Sequence, residues 1–145
     1  AAYGAFQTHF FSLLLLPFGM SIKGGPLGVL IMVVSGGLIA IAISGFMAAA
    51  ALKTGSSEAV QGIFPLVFIM LFFSSAFFPR QTMSGAYKHI ADFNPISHLI
   101  EGMRDICIDG LSSGAIARAI LVPIAIMIVS FTLALRALAQ RIAAQ

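Results

Sequence analysis

The chain has 145 residues, of which 59% are hydrophobic and only 9% charged, and its mean hydropathy is +1.03. Soluble domains carry about a quarter charged residues, so this composition excludes a surface that faces water and calls for an apolar solvent, a bilayer. The net charge of +3 comes from eight Lys and Arg scattered along the chain without a basic stripe or interleaved aromatics, which excludes a nucleic-acid binder.

A hydrocarbon core of about 30 Å needs about 20 apolar residues in a helix, so charge-free runs mark the spans. The first run covers residues 1–22 and is broken by Lys23. Its strongest part, 10–18, stops at Pro17 and Gly19, short of a full span. It reads as the exit half of a span. The chain opens on Ala1-Ala2-Tyr3 without an initiator Met or a signal peptide, so the N-terminal part of a longer protein is expected to be missing. Lys23-Gly24-Gly25-Pro26 then predicts a turn.

The second run, 27–52, has no charge and is closed by Lys53. Within it Gly36, Ala40, Ser44 and Ala48 recur every four residues and predict a small-residue ribbon for close helix packing. The polar link Lys53-Thr54-Gly55-Ser56-Ser57-Glu58 follows, with Ser56 or Ser57 as an N-cap. The third run, 59–78, contains Pro65, which predicts a kink. It leaves the membrane through Phe72, Phe73, Phe77, Phe78 and Pro79.

Residues 79–114 differ in kind, because Asp92, Glu101, Asp105 and Asp109 all fall there. Two short amphipathic helices are predicted, one near 84–93 and one opened by Asn94 as cap with Pro95 in the first turn. The second puts Ile96, Leu99, Ile100, Met103, Ile106 and Cys107 on one apolar face. Such a hairpin lies at the membrane surface or dips into it within protein. The last span covers 115–135, with Pro123 inside it and Arg118 near one end, snorkelling to the interface. The fold class is therefore an all-α membrane protein, one transmembrane domain over 1–145: about three full transmembrane helices, a partial N-terminal one, and an amphipathic hairpin between the last two spans.

No chemistry emerges along the way. There is no P-loop sequence, so ATP is not bound by that means. His9, His89 and His98 lack the clustered ligands of a metal site. No nucleophile and base, and no paired acids, sit at bilayer depth. The lone Cys107 excludes an internal disulfide. Spans without charge argue against an ion-coupled carrier and fit the movement of an apolar substrate with energy from elsewhere.

Four fragments fall in a telling order: Lys53-Thr54-Gly55-Ser56-Ser57-Glu58 before the third run; Phe73-Ser74-Ser75-Ala76-Phe77-Phe78-Pro79; Met83-Ser84-Gly85; and Asn94-Pro95-Ile96-Ser97 followed by Arg104. The stretch 48–110 resembles the type 2 ABC export permeases, which include daunorubicin-resistance and nodulation-factor exporters. Ser75 and Ser84 depart from the family's common Gly and Pro.

The resemblance implies six helices per subunit, of which this chain holds the end of the third and all of the fourth to sixth. It implies a second permease subunit, as a homodimer, and an ABC-type ATPase subunit that carries the ATP and Mg, with no cofactor on this chain. It implies a multi-pass protein of the bacterial cytoplasmic (inner) membrane, surrounded by lipid, with 79–114 as an extracytoplasmic loop. Against that orientation, Lys23, Arg80, Lys88, Arg104 and Arg118 stand outside and Lys53, Arg136 and Arg141 inside, five against three, the reverse of the usual bias.

The function so implied is export of a lipophilic drug or lipid-like substrate, with two alternatives: polysaccharide or lipo-oligosaccharide export, and a structural membrane protein without a transport cycle. The hairpin would form the outer gate. Phe72, Phe73, Phe77, Phe78 and Pro79 would narrow the exit, Asn94 and Pro95 would open the gate helix, and Arg104 would latch it through Glu101 or Asp105.

Overall fold

The second run folds as α1, Gly25–Thr54, a helix of 30 residues. Pro26 sits in its first turn, where a missing N–H leaves no gap in the ladder. Gly55 ends it in the left-handed conformation, φ 68°, and donates its N–H to the Ala51 carbonyl. The computed structural model describes residues 22–143 together with Phe6, Gln7, Phe10 and Leu14. The partial span read over 1–22, with His9, therefore lies almost wholly outside the described residues.

The last run folds as a second long helix, Ser113–Ala143, of 31 residues (α6 below, after the intervening elements). At 1.5 Å per residue each is about 45 Å long, more than the hydrocarbon core requires. Only 22% and 17% of their most apolar windows are buried within the chain. Leu30, Leu121, Ile128 and Leu135 stay exposed. A core helix of a soluble domain hides such side chains; these two leave them for hydrocarbon. The protein is a membrane protein, and helices are the regular elements among its described residues.

The two long helices lie side by side and parallel. The Ser35 hydroxyl donates to the Ala119 carbonyl. Ten residues further along the first helix, Gly45 lies against Ser130, eleven residues further along the second. The buried positions of α1 are Gly28, Ser35, Gly36, Gly37, Ala42 and Gly45. Those of the last helix are Ala115, Ala119, Pro123, Ser130 and Ala137; Ser35 and Gly45 meet that helix, while Gly28 lies against Ile106 of the hairpin. Small residues on both sides bring the backbones close, as apolar packing in lipid demands. The predicted ribbon is corrected here: Gly36 is buried and Ala40 half-buried, but Ser44 and Ala48 are exposed. A four-residue repeat drifts around a helix of 3.6 residues per turn, whereas Gly28, Ser35 and Ala42, seven apart, stay on the buried side.

The third run is not one helix through 78. It folds as α2, Ser57–Gln61, and α3, Ile63–Phe72, parted at Gly62. Ser56 is the cap, accepting from the Ala59 N–H at 3.2 Å. Its hydroxyl also donates to Glu58, which holds that carboxyl below its usual range. The break stands where Pro65 would clash with the carbonyl four residues back, Gln61. Together α2 and α3 cover 16 residues, Ser57–Phe72, too short to count with the two long helices.

After a 3-10 turn, Arg80–Thr82, the hairpin follows as α4, Gly85–Phe93, and α5, Pro95–Ile108; Ser113–Ala143 is α6. Both hairpin helices match the expected pair. The end of α5 docks onto the start of α1, where the Lys23 and Gly24 N–H groups each donate at 3.0 Å to the Cys107 and Ile106 carbonyls. On its other side Gly102 touches the backbone of α6. The hairpin therefore sits at the end where α1 and α6 begin and α3 stops.

Candidate functional site

The C-terminus of α3 carries the site. The last four carbonyls of a helix have no partner within it, and in an apolar medium each must find one. Here all four do. The Phe73 N–H donates to Ile69 at 3.0 Å. The Asn94 amide donates to the Met70 carbonyl at 2.6 Å. Ser74 donates to Leu71 from both its N–H and its hydroxyl. The Tyr87 hydroxyl donates to Phe72 at 2.6 Å. Two of the four partners, Asn94 and Tyr87, belong to the hairpin, so the hairpin caps the helix that ends beneath it.

The same hairpin also holds the segment that follows. Ser75 and Ser97, both fully buried, exchange bonds: the Ser75 N–H donates to the Ser97 hydroxyl and the Ser75 hydroxyl to the Ser97 carbonyl, each at 3.1 Å. Arg104 donates to the Ser75 carbonyl at 2.7 Å. Asn94 further accepts from the Ile96 N–H at 2.9 Å, capping α5 as the sequence predicts. Asn94, Ser97 and Arg104 come from one recognisable fragment, and all three grip the chain between Met70 and Ser75. Among the described residues no buried side-chain polar atom lacks a partner. Ser75, a departure from the resembled pattern, thus has a role of its own.

The expected pairing of Arg104 with Glu101 or Asp105 is corrected. Glu101 binds Arg80 through two guanidinium nitrogens and stands 3.8 Å from Arg118. Asp105 accepts from Arg118 at 2.7 Å, and Asp92 from Arg80 at 3.2 Å. Three carboxylates and two arginines so tie the 3-10 turn, both hairpin helices and α6 together. The Glu101 carboxylate pushes the Arg80 guanidinium above its ordinary value, against the opposing pull of burial. Arg118, read from sequence as a snorkelling cation, is a structural partner instead. Spacing gave no signal for this, because Arg80 and Glu101 are 21 residues apart.

The aromatic residues of the exit are exposed. Phe72 meets Phe77 at 5.5 Å between ring centroids, and Phe73 meets Tyr87 at 5.8 Å. Phe78 and Pro79 face outward beside them. None of these lines a groove of about 420 Å³ between α1, α3 and α6, whereas Phe73 lines a more open hollow of about 520 Å³ together with Ile69, Phe93, Asn94 and Pro95. The walls of the groove include Ile39, Phe46, Leu66, Met70 and Val129, and Pro95 and Ile96 of the hairpin complete it. No lining residue is polar. The described residues hold no cluster of His, Cys, Asp and Glu fit for a metal ion.

Two substitutions at Asn94 separate its two bonds. Asn94→Ala removes both and leaves the Met70 carbonyl bare, an expected loss of about 2 kcal/mol. Asn94→Asp keeps the cap of α5 but sets a buried carboxylate against the Met70 carbonyl, and should lose at least as much as Ala. Thermal unfolding of the detergent-solubilised full-length protein should place both variants below wild type, with Asp no more stable than Ala.

A family model described as ABC-2 family transporter protein matches residues 1–136. No curated protein and no solved structure matches the chain.

Proposed function

The chain belongs to the ABC-2 transporter family, and from that premise we propose that it is the membrane permease subunit of an ATP-driven exporter of lipophilic or lipid-like molecules. The observation that carries the substrate class is the groove. A sugar or other polar cargo gives up its water only where polar groups replace it; this groove offers none, so it suits hydrocarbon. ATP and Mg belong to a separate ABC-type ATPase subunit, and a second copy of the permease completes the transporter. The hairpin over residues 79–114 is the outer gate, and α2 and α3 with the segment 73–78 form the third, broken crossing.

The orientation with the hairpin outside the cytoplasmic membrane of a bacterium follows the family topology and runs against the five-to-three count of cations. At the hairpin end Arg80 and Arg118 are in ion pairs and Arg104 is bonded to Ser75. At the opposite end Lys53, Arg136 and Arg141 have no carboxylate partner among the described residues. Lys23 and Lys88, at the hairpin end, likewise have no carboxylate partner among the described residues.

The test is ATP-driven uptake of a lipophilic dye into inside-out vesicles containing the full-length protein with its ATPase. Uptake that needs both proteins is expected, and Arg104→Ala should lower it at least several-fold with insertion unchanged. A full-length protein that binds no ATPase and moves no dye contradicts the reading.

A further inference from the structure

The ends of the two long spans away from the hairpin carry a second hollow, of about 370 Å³. Lys53 and Thr54 of α1 line it with Gly55 just beyond, and Gln140 and Arg141 line it from α6. Neither Lys53 nor Arg141 has an ion-pair partner among the described residues. The nearest acid in the chain sequence, Glu58, is engaged by the Ser56 hydroxyl. We propose that this hollow binds the phosphate headgroup of an anionic phospholipid, held between Lys53 and Arg141.

Depth and shape favour a lipid as occupant. Both helices exceed the hydrocarbon thickness, so their last turns stand in the headgroup layer, where lipid phosphates lie. Leu135 and Leu138, a few residues before Arg141, are 64% and 40% exposed, leaving apolar surface for acyl chains next to the charged hollow. A free phosphate would use the cations alone; a lipid uses both. Two cations from different helices, converging on one concavity, also differ from a lone snorkelling residue, since they fix where the headgroup sits. The inference stands on the two spans and not on the exporter reading.

The experiment purifies the full-length protein from nanodiscs containing phosphatidylcholine and phosphatidylglycerol and measures the lipids retained. About 1 kcal/mol per cation near an anionic lipid corresponds to about a thirtyfold enrichment of phosphatidylglycerol for the pair. Lys53→Gln or Arg141→Gln alone should cut it about fivefold, and the double substitution should abolish it. Lys53→Arg with Arg141→Lys should keep it, which separates lost charge from lost fold. Arg136→Gln, outside the hollow, should also keep it. The proposal is overturned if the double Gln variant retains the enrichment, if Arg136→Gln removes it equally, if the charge-conserving variant loses it, or if inorganic phosphate strips the lipid.

Discussion

Gly102→Ala is expected to part the hairpin from α6 and to abolish transport while the protein still inserts. A Cβ built on Gly102 would stand 2.8 Å from the Ala119 nitrogen and 2.9 Å from the Ala115 oxygen. Both atoms are helix backbone, which cannot turn aside as a side chain can. Overpacking of this kind costs about 1–3 kcal/mol. The strain falls where α5 also carries Glu101, Arg104 and Asp105, so their bonds to Arg80, Ser75 and Arg118 lengthen together. Gly114→Ala is the control, since nothing stands within 4 Å of its Cβ. Thermal unfolding and dye uptake should separate the two variants clearly. Equal behaviour would mean that α5 does not need this close approach.

Glu101→Gln is the second large effect. Its side chain is 13% exposed and serves Arg80 and, more distantly, Arg118. Neutralising it leaves Arg80 with Asp92 alone, and Arg118 with Asp105 alone. A hydrogen bond to a charged group contributes about 1.5–3 kcal/mol, and partial exposure places this case toward the lower end. The expected result is a lower unfolding temperature and slower export. Asp109→Asn, at an exposed position without an ion pair among the described residues, should change neither. If the two substitutions match, the ion cluster is a solvated face and not a clasp.

The sequence made the two long spans plain, because charge-free runs of that length have few other uses. The caps at Ser56 and Asn94 were equally legible, being local bonds between a side chain and the next turn. The end of α3 at Phe72 was not. Residues 73–78 are as free of charge as those before them, and the chain is held at Ser75 by Ser97 and Arg104, 22 and 29 residues further along. Pairing of Arg80 with Glu101 was hidden for the same reason. The packing face is hidden by its period: small residues recur every four positions, while the buried positions Gly28, Ser35 and Ala42 lie seven apart. The polar residues of the Asn94–Arg104 segment were visible as a pattern; that Asn94, Ser97 and Arg104 grip the chain between Met70 and Ser75 needed three dimensions.

The most direct test of the gate locks it. In a Cys107→Ser background, Ser75→Cys with Ser97→Cys replaces the exchanged hydrogen bonds by a pair of thiols, and disulfide formation is checked by thiol labelling. With the ATPase present, oxidation should stop ATP-driven dye uptake and a reductant should restore it. Full uptake with the disulfide formed would contradict a gate that opens between α3 and the hairpin.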